Sequence, residues 1–269
     1  MSFRKMGLLL ACLCVLLMVG ICRAQAQAAI YLQNFTTGQL AVWYLNDTTV
    51  TSGVYITPVQ DPAWTCVGAG FFNGGSQVDL LFQDFSTGQL AVWFMTGATA
   101  TSGAYVEPGQ SSAWRCVGVN SFNGTGKHDI LFQNTSSGQL ALWYMSGTQA
   151  NNGVYIDTIP PSGWACVGTG NFDQFTSPDL VFQNTSTGQM AIWFMNGVTR
   201  TGTVTLSPGQ DPAWRCRAVL APAGSNQQML VFQNQQTGAV AYWLLNGSSV
   251  VGGGNFPTPP SGWVVVGPR

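Results

Sequence analysis

Ten tryptophans fall into two evenly spaced series, and of all the residue types here their pattern bears most on chemistry. Trp43, Trp93, Trp143, Trp193 and Trp243 recur every 50 residues. Trp64, Trp114, Trp164, Trp214 and Trp263 form the second series, the last one residue early. An indole has a wide apolar face and one N–H donor, so half-exposed it can stack on the apolar face of a sugar ring. The first series stands mid-strand among apolar neighbours and reads as core. The second opens a strand directly after a polar loop, such as Gly109-Gln110-Ser111-Ser112 before Trp114, and is the candidate ligand surface.

Other chemistry has little to work with. The one histidine, His128, sits beside Asp129 in a single loop without a nucleophile motif, and reads as a solvated loop residue. Glu107 and Asp157 complete no catalytic set with it, so the sequence does not describe an enzyme. Cys66, Cys116, Cys166 and Cys216 share one repeat position, where the last unit has Val265. Bridging neighbouring copies needs Cα atoms within ~6.8 Å, which would pull five strands to within ~6 Å of a common axis, so these thiols read as free and buried. C-x-x-C and H-x-x-x-H spacings are absent, and no cofactor is implied.

The elements that must carry these residues follow from a 50-residue period. Gln33, Gln83, Gln133, Gln183 and Gln233 keep it, as do Gly38, Gly88, Gly138, Gly188 and Gly238. Each unit holds about four strand signals; in the third copy they are residues 130–134, 138–145, 153–156 and 164–169. Leu142 and Tyr144 alternate with Trp143 and Met145, so both strand faces are apolar and must be covered. Four strands in about 50 residues is the blade of a β-propeller. The repeats begin at a strand near Ile30 that lacks the W-x-C-V-G strand before it, and Trp263–Gly267 supplies that piece. The expected fold is therefore all-β: a closed five-bladed propeller over residues 27–269, whose last strand completes the first blade.

Residues 1–26 read as a secretory signal: Arg4 and Lys5, an apolar run from Gly7 to Ile21, then Ala24-Gln25-Ala26. The run is shorter than the ~20 residues a spanning helix needs, so no transmembrane anchor is expected after cleavage. Without Arg4, Lys5 and Arg23, six of the nine basic residues remain against ten acidic ones. The processed chain is mildly acidic, which argues against a nucleic-acid partner.

The order of strand, F-N-G-x-G-x-x-D loop and D-[IL]-L-F-Q-N strand, best kept at Ser121–Asp129, resembles the FG-GAP or VCBS-type repeat of exported bacterial propellers. That resemblance implies a calcium loop, of which Asp79, Asp129 and Asp179 are the remaining acidic positions. One carboxylate per loop falls short of the six to eight oxygens calcium takes, so these read as turn-capping residues and no metal is expected. The ring of five units, with [DS]-x-x-W after a Pro-containing loop, is also similar to tachylectin-2-type five-bladed lectins. The matching positions are Asp61 with Trp64, Ser111 with Trp114 and Asp211 with Trp214. This likeness adds Asp61 and Asp211 to the candidate ligand residues and implies sugar binding.

The expectation is thus an exported, non-enzymatic binding module, secreted, periplasmic or on the cell surface. Its partner is a glycan, bound at repeated sites. The alternative is a structural or protein-interaction propeller that meets a cell-surface protein.

Overall fold

A computed structural model describes residues 27–173 and 175–269; the signal-peptide reading falls outside them. Twenty strands follow one another without a helix among the described residues. The chain opens with β1 (Ala29–Asn34), β2 (Leu40–Asn46) and β3 (Thr49–Ile56). A second group is β4 (Trp64–Gly70), β5 (Asp79–Asp84), β6 (Leu90–Thr96) and β7 (Thr99–Tyr105). The third is β8 (Trp114–Asn120), β9 (Asp129–Asn134), β10 (Leu140–Ser146) and β11 (Gln149–Ile156). Then come β12 (Trp164–Gly170), β13 (Asp179–Asn184), β14 (Met190–Asn196) and β15 (Thr199–Thr205). The last full group is β16 (Trp214–Leu220), β17 (Gln228–Asn234), β18 (Val240–Asn246) and β19 (Ser249–Asn255), followed by β20 (Trp263–Gly267).

Each group is one antiparallel four-stranded sheet, and β20 pairs with β1 to complete the first as β20-β1-β2-β3. The inner strands β4, β8, β12, β16 and β20 adjoin one another around a ring. This is the expected five-bladed propeller, closed by its last strand. The four strands expected in the third repeat are β9, β10, β11 and β12; β10 begins two residues later, at Leu140, β11 four residues earlier, at Gln149, and β12 is the inner strand of the next blade rather than the last of the same one.

Local chemistry sets the hairpins. Asn34 Oδ1 accepts the N–H groups of Thr36 and Thr37, and Gly38 at φ +73° takes the left-handed position that ends the turn. The second hairpin of each blade needs the same conformation at Gly97, Gly147, Gly197 and Gly247. Asp47, at φ 54°, occupies it in blade one.

The core is divided by the seams. Five apolar clusters form, one at each meeting of adjacent blades, and the cluster between blades five and one is built like the rest. It joins Ile30 and Leu32 to Leu220 and Met229. A buried glutamine stitches each seam. Gln83 donates to Trp114 O at 2.8 Å and accepts from Cys116 N–H at 2.9 Å; Gln33, Gln133, Gln183 and Gln233 do the same for the next inner strand. An inner strand has a hydrogen-bonded neighbour on one side only. The glutamine satisfies edge groups that no strand reaches.

Candidate functional site

Trp64 and Tyr105 stand at opposite edges of blade two and lean toward each other across its face, ring centroids 6.1 Å apart. The same pairing joins Trp114 to Tyr155 at 6.1 Å and Trp263 to Tyr55 at 5.9 Å, with interplanar angles of 31–33°. Small residues between them keep the face open: Ala91 and Gly103 in blade two, Ala141 and Gly153 in blade three, Ala41 and Gly53 in blade one. The mid-strand indole forms the floor. A Cβ on Gly103 would stand 3.2 Å from Trp93, so the glycine lets the ring lie flat beside it. The result is an aromatic trough of about 320 Å³ on blade two, 240 Å³ on blade three and 230 Å³ on blade one. Tyr55, Tyr105 and Tyr155 are 64%, 56% and 65% exposed, and a ligand could cover them without displacing protein.

The mid-strand tryptophans pack on the seam clusters, as their reading as core expects, but they are not all covered. Trp43, Trp93, Trp143 and Trp243 are half-buried, and only Trp193 is fully covered. Trp93 packs at a tilt against Phe82, 4.8 Å between centroids, with one part and lines the trough with another. Strand alternation fixes which face an indole takes. It does not fix how far the neighbouring blade extends over that face.

The strand-opening series does not behave as one set. Trp64, Trp114 and Trp263 wall the troughs. Trp164 instead borders a separate cavity of about 460 Å³ between blades three and four. In blade four Thr205 stands at the tyrosine position, Thr203 replaces the glycine opposite Trp193, and the Arg200 guanidinium lies 4.8 Å over that indole. In blade five Asn255 replaces the tyrosine beyond Trp214. Three of the five blades carry the full trough.

Asp61 and Asp211 lie in the loops entering β4 and β16. Asp61 Oδ1 accepts Ala63 N–H at 2.9 Å and Asp211 Oδ1 accepts Ala213 N–H at 2.7 Å, while their backbone carbonyls accept the N–H of Trp64 and Trp214. They set where the strands begin. Gln60 and Gln110, one residue before the [DS] position, line the troughs instead. Sequence reasoning missed them and the three tyrosines, although Tyr55, Tyr105 and Tyr155 also keep the 50-residue spacing.

Asp79, Asp129 and Asp179 are fully buried. In each, Oδ2 accepts a loop N–H (Phe72, Phe122, Phe172) and Oδ1 accepts a strand N–H (Met95, Met145, Met195). Burial raises the carboxyl groups of Asp129 and Asp179 above their ordinary value, against the lowering effect of those bonds. Each of these carboxylates bonds its own loop and a strand, as a turn-capping residue does. Among the described residues no three His, Cys, Asp or Glu side chains converge.

His128 is a correction. It is largely buried rather than solvated, edge-on to Phe71 at 5.2 Å, and burial pulls its pKa down to about 4. It is neutral at pH 7, and its Nδ1 has no partner among the described residues. Cys66, Cys116, Cys166 and Cys216 are unpaired and buried on the inner strands, and burial pushes each thiol up to about 12.

No family model and no curated protein matches the chain. Solved structures resemble it. A chain from the nidogen/laminin complex is 12% identical with a TM-score of 0.52, the match covering 89% of this chain and 96% of that one. An auxiliary nutrient binding protein from Bacteroides thetaiotaomicron is 10% identical with a TM-score of 0.40, over 81% of this chain and 71% of that one. At these identities the likeness to the first concerns the propeller fold alone. Fold and surface together define a five-bladed β-propeller with three repeated aromatic troughs.

Proposed function

We propose that this protein is an exported, non-enzymatic carbohydrate-binding propeller whose sites are the troughs of blades one, two and three. The observation that carries the reading is the repeated Trp–Tyr pair over an indole floor. Sugar rings have apolar C–H faces that aromatic planes cover, and Gln60 or Gln110 at the rim offers an amide to hydroxyls. The resemblances to FG-GAP or VCBS-type repeats and to tachylectin-2-type lectins support the same reading, as does a mildly acidic composition unsuited to nucleic acid. Three shallow sites on one rigid ring gain affinity by engaging a multivalent glycan surface together.

The test is a glycan array followed by tryptophan-fluorescence titration of the best hits. Tyr155→Ala should weaken binding in one of three sites, and Tyr55→Ala/Tyr105→Ala/Tyr155→Ala should abolish it while the fold persists. If no glycan perturbs the fluorescence and the triple variant instead loses a cell-surface protein, the troughs are protein-docking surfaces.

A further inference from the structure

One seam breaks the repeat in a way the troughs do not explain. At the bulge of each inner strand stands a residue aimed into the next seam: Val67, Val117, Val167 and Val266, but Arg217 in blade five. Between blades five and one it borders a cavity of about 600 Å³, walled by Trp263 and Gln233 and rimmed by Asn234, Gln236 and Ser261. Among the described residues no acidic side chain lines this cavity. The Arg217 Nε is buried without a hydrogen-bond partner among the described residues. Burial and the nearby guanidinium groups of Arg269 and Arg215 pull Arg217 down to about 10, so it remains charged at neutral pH.

The loop explains why the cavity is open. In blades one, two and four the hairpin glycine is roofed by the next loop, as where a Cβ on Gly88 would lie 2.3 Å from Gln110 O. Pro259-Pro260-Ser261-Gly262 takes another course, and nothing lies within 4 Å of the corresponding point on Gly238. Pro259, Pro260 and Trp263 also border the trough of blade one, so cavity and trough share a wall.

The Arg217 side chain is partly exposed, but its Nε is buried without a partner among the described residues, a cost that an anion at the guanidinium would relieve, and the planar fork suits a carboxylate or sulfate. We propose that the cavity between blades five and one is a subsite for an anionic sugar, whose carboxylate or sulfate is held by Arg217 while the adjoining residue lies over the Trp263–Tyr55 pair. The proposal rests on the carbohydrate reading and adds a charged specificity: the cavity between blades three and four is bordered by Arg115, but that guanidinium is already engaged by Phe85 O and Ser112 O.

Calorimetric titration should compare an oligogalacturonate with its neutral methyl ester, and a sulfated galactan oligomer with its desulfated form, against wild type, Arg217→Val and Arg217→Lys. Valine stands at this position in the other four repeats, so the first variant should fold and melt no lower than wild type. The expected result is at least tenfold preference for the charged member of one pair, lost in Arg217→Val, reduced in Arg217→Lys and weakened by salt. The arm that responds names the anion. Equal affinities for charged and neutral sugars, unchanged by Arg217→Val while the troughs still report binding, would overturn the anionic subsite and leave the lectin reading standing. Absence of binding by every sugar would overturn both. If inorganic sulfate binds as tightly as the oligosaccharides, the sugar part of the proposal fails.

Discussion

Replacing Gln83 with leucine should test what holds neighbouring blades in register. The Gln83 side chain is fully buried at the seam between blades two and three, where it serves Trp114 O and Cys116 N–H on the edge of β8. Leucine has nearly the same volume, so little cavity forms, but both backbone groups lose their partner in a place water does not reach. Each orphaned group costs ~1–3 kcal/mol, and the gain of apolar contact offsets about 1 kcal/mol. The net expectation is destabilisation by about 3 kcal/mol, or a fall in Tm of roughly 6–12 °C for a domain of this size. Gln139→Leu is the control. Its amide bonds Leu140 O and Ile156 O within one half-exposed blade, where water can substitute, so the loss should stay below ~1 kcal/mol. Calorimetric melts of both variants and of Gln83→Leu/Gln183→Leu would read the effect; the two seams are separate, so the double change should be close to additive. A Tm drop of less than ~2 °C for Gln83→Leu would refute the view that these glutamines satisfy the inner-strand edges.

His128 should make stability pH-dependent: its folded pKa of about 4 lies below the ordinary ~6.5, so stability present above pH ~6.5 is lost as pH falls toward 4, by about 3 kcal/mol. Asp129 and Asp179 are raised and act in the opposite sense, favouring the fold as pH falls through their own values, so denaturant titrations should compare wild type with His128→Val, which should lack that loss. Asp129→Ala should cost about 3 kcal/mol by orphaning the Phe122 and Met145 N–H groups, whereas EDTA should leave the wild-type melting curve unchanged; a chelation-induced drop of many degrees, reversed by calcium, would show that the loops hold metal. A chromogenic disulfide reagent at pH 8 should leave Cys66, Cys116, Cys166 and Cys216 unmodified in the folded protein and label them on unfolding; rapid native labelling would contradict their burial.

The ring itself was legible in the chain. A period of 50 carried by Gln33, Gly38, Trp43 and their copies defines a unit whose strands are apolar on both faces, and such a unit is stable only between neighbours. The β20 strand supplies the piece that β1 lacks, so closure could be read from the motif order alone. The buried thiols and the turn-capping aspartates were also legible, because one residue type at one repeat position meets one environment.

The trough was not legible, because it depends on distances across strands rather than along them. Trp64 and Tyr105 are 41 residues apart and meet only because the sheet lays their side chains over the small residues between. How deeply Trp93 or His128 is covered depends on the neighbouring blade, and no period within one blade reports that. Arg217 was visible as a lone departure from valine, yet only the packed seam, with its open loop and lack of acidic residues, gives that departure a meaning. Sequence repetition specifies what every blade shares; the electrostatic and steric character of each seam arises from two blades together, and tertiary packing alone brings them into contact.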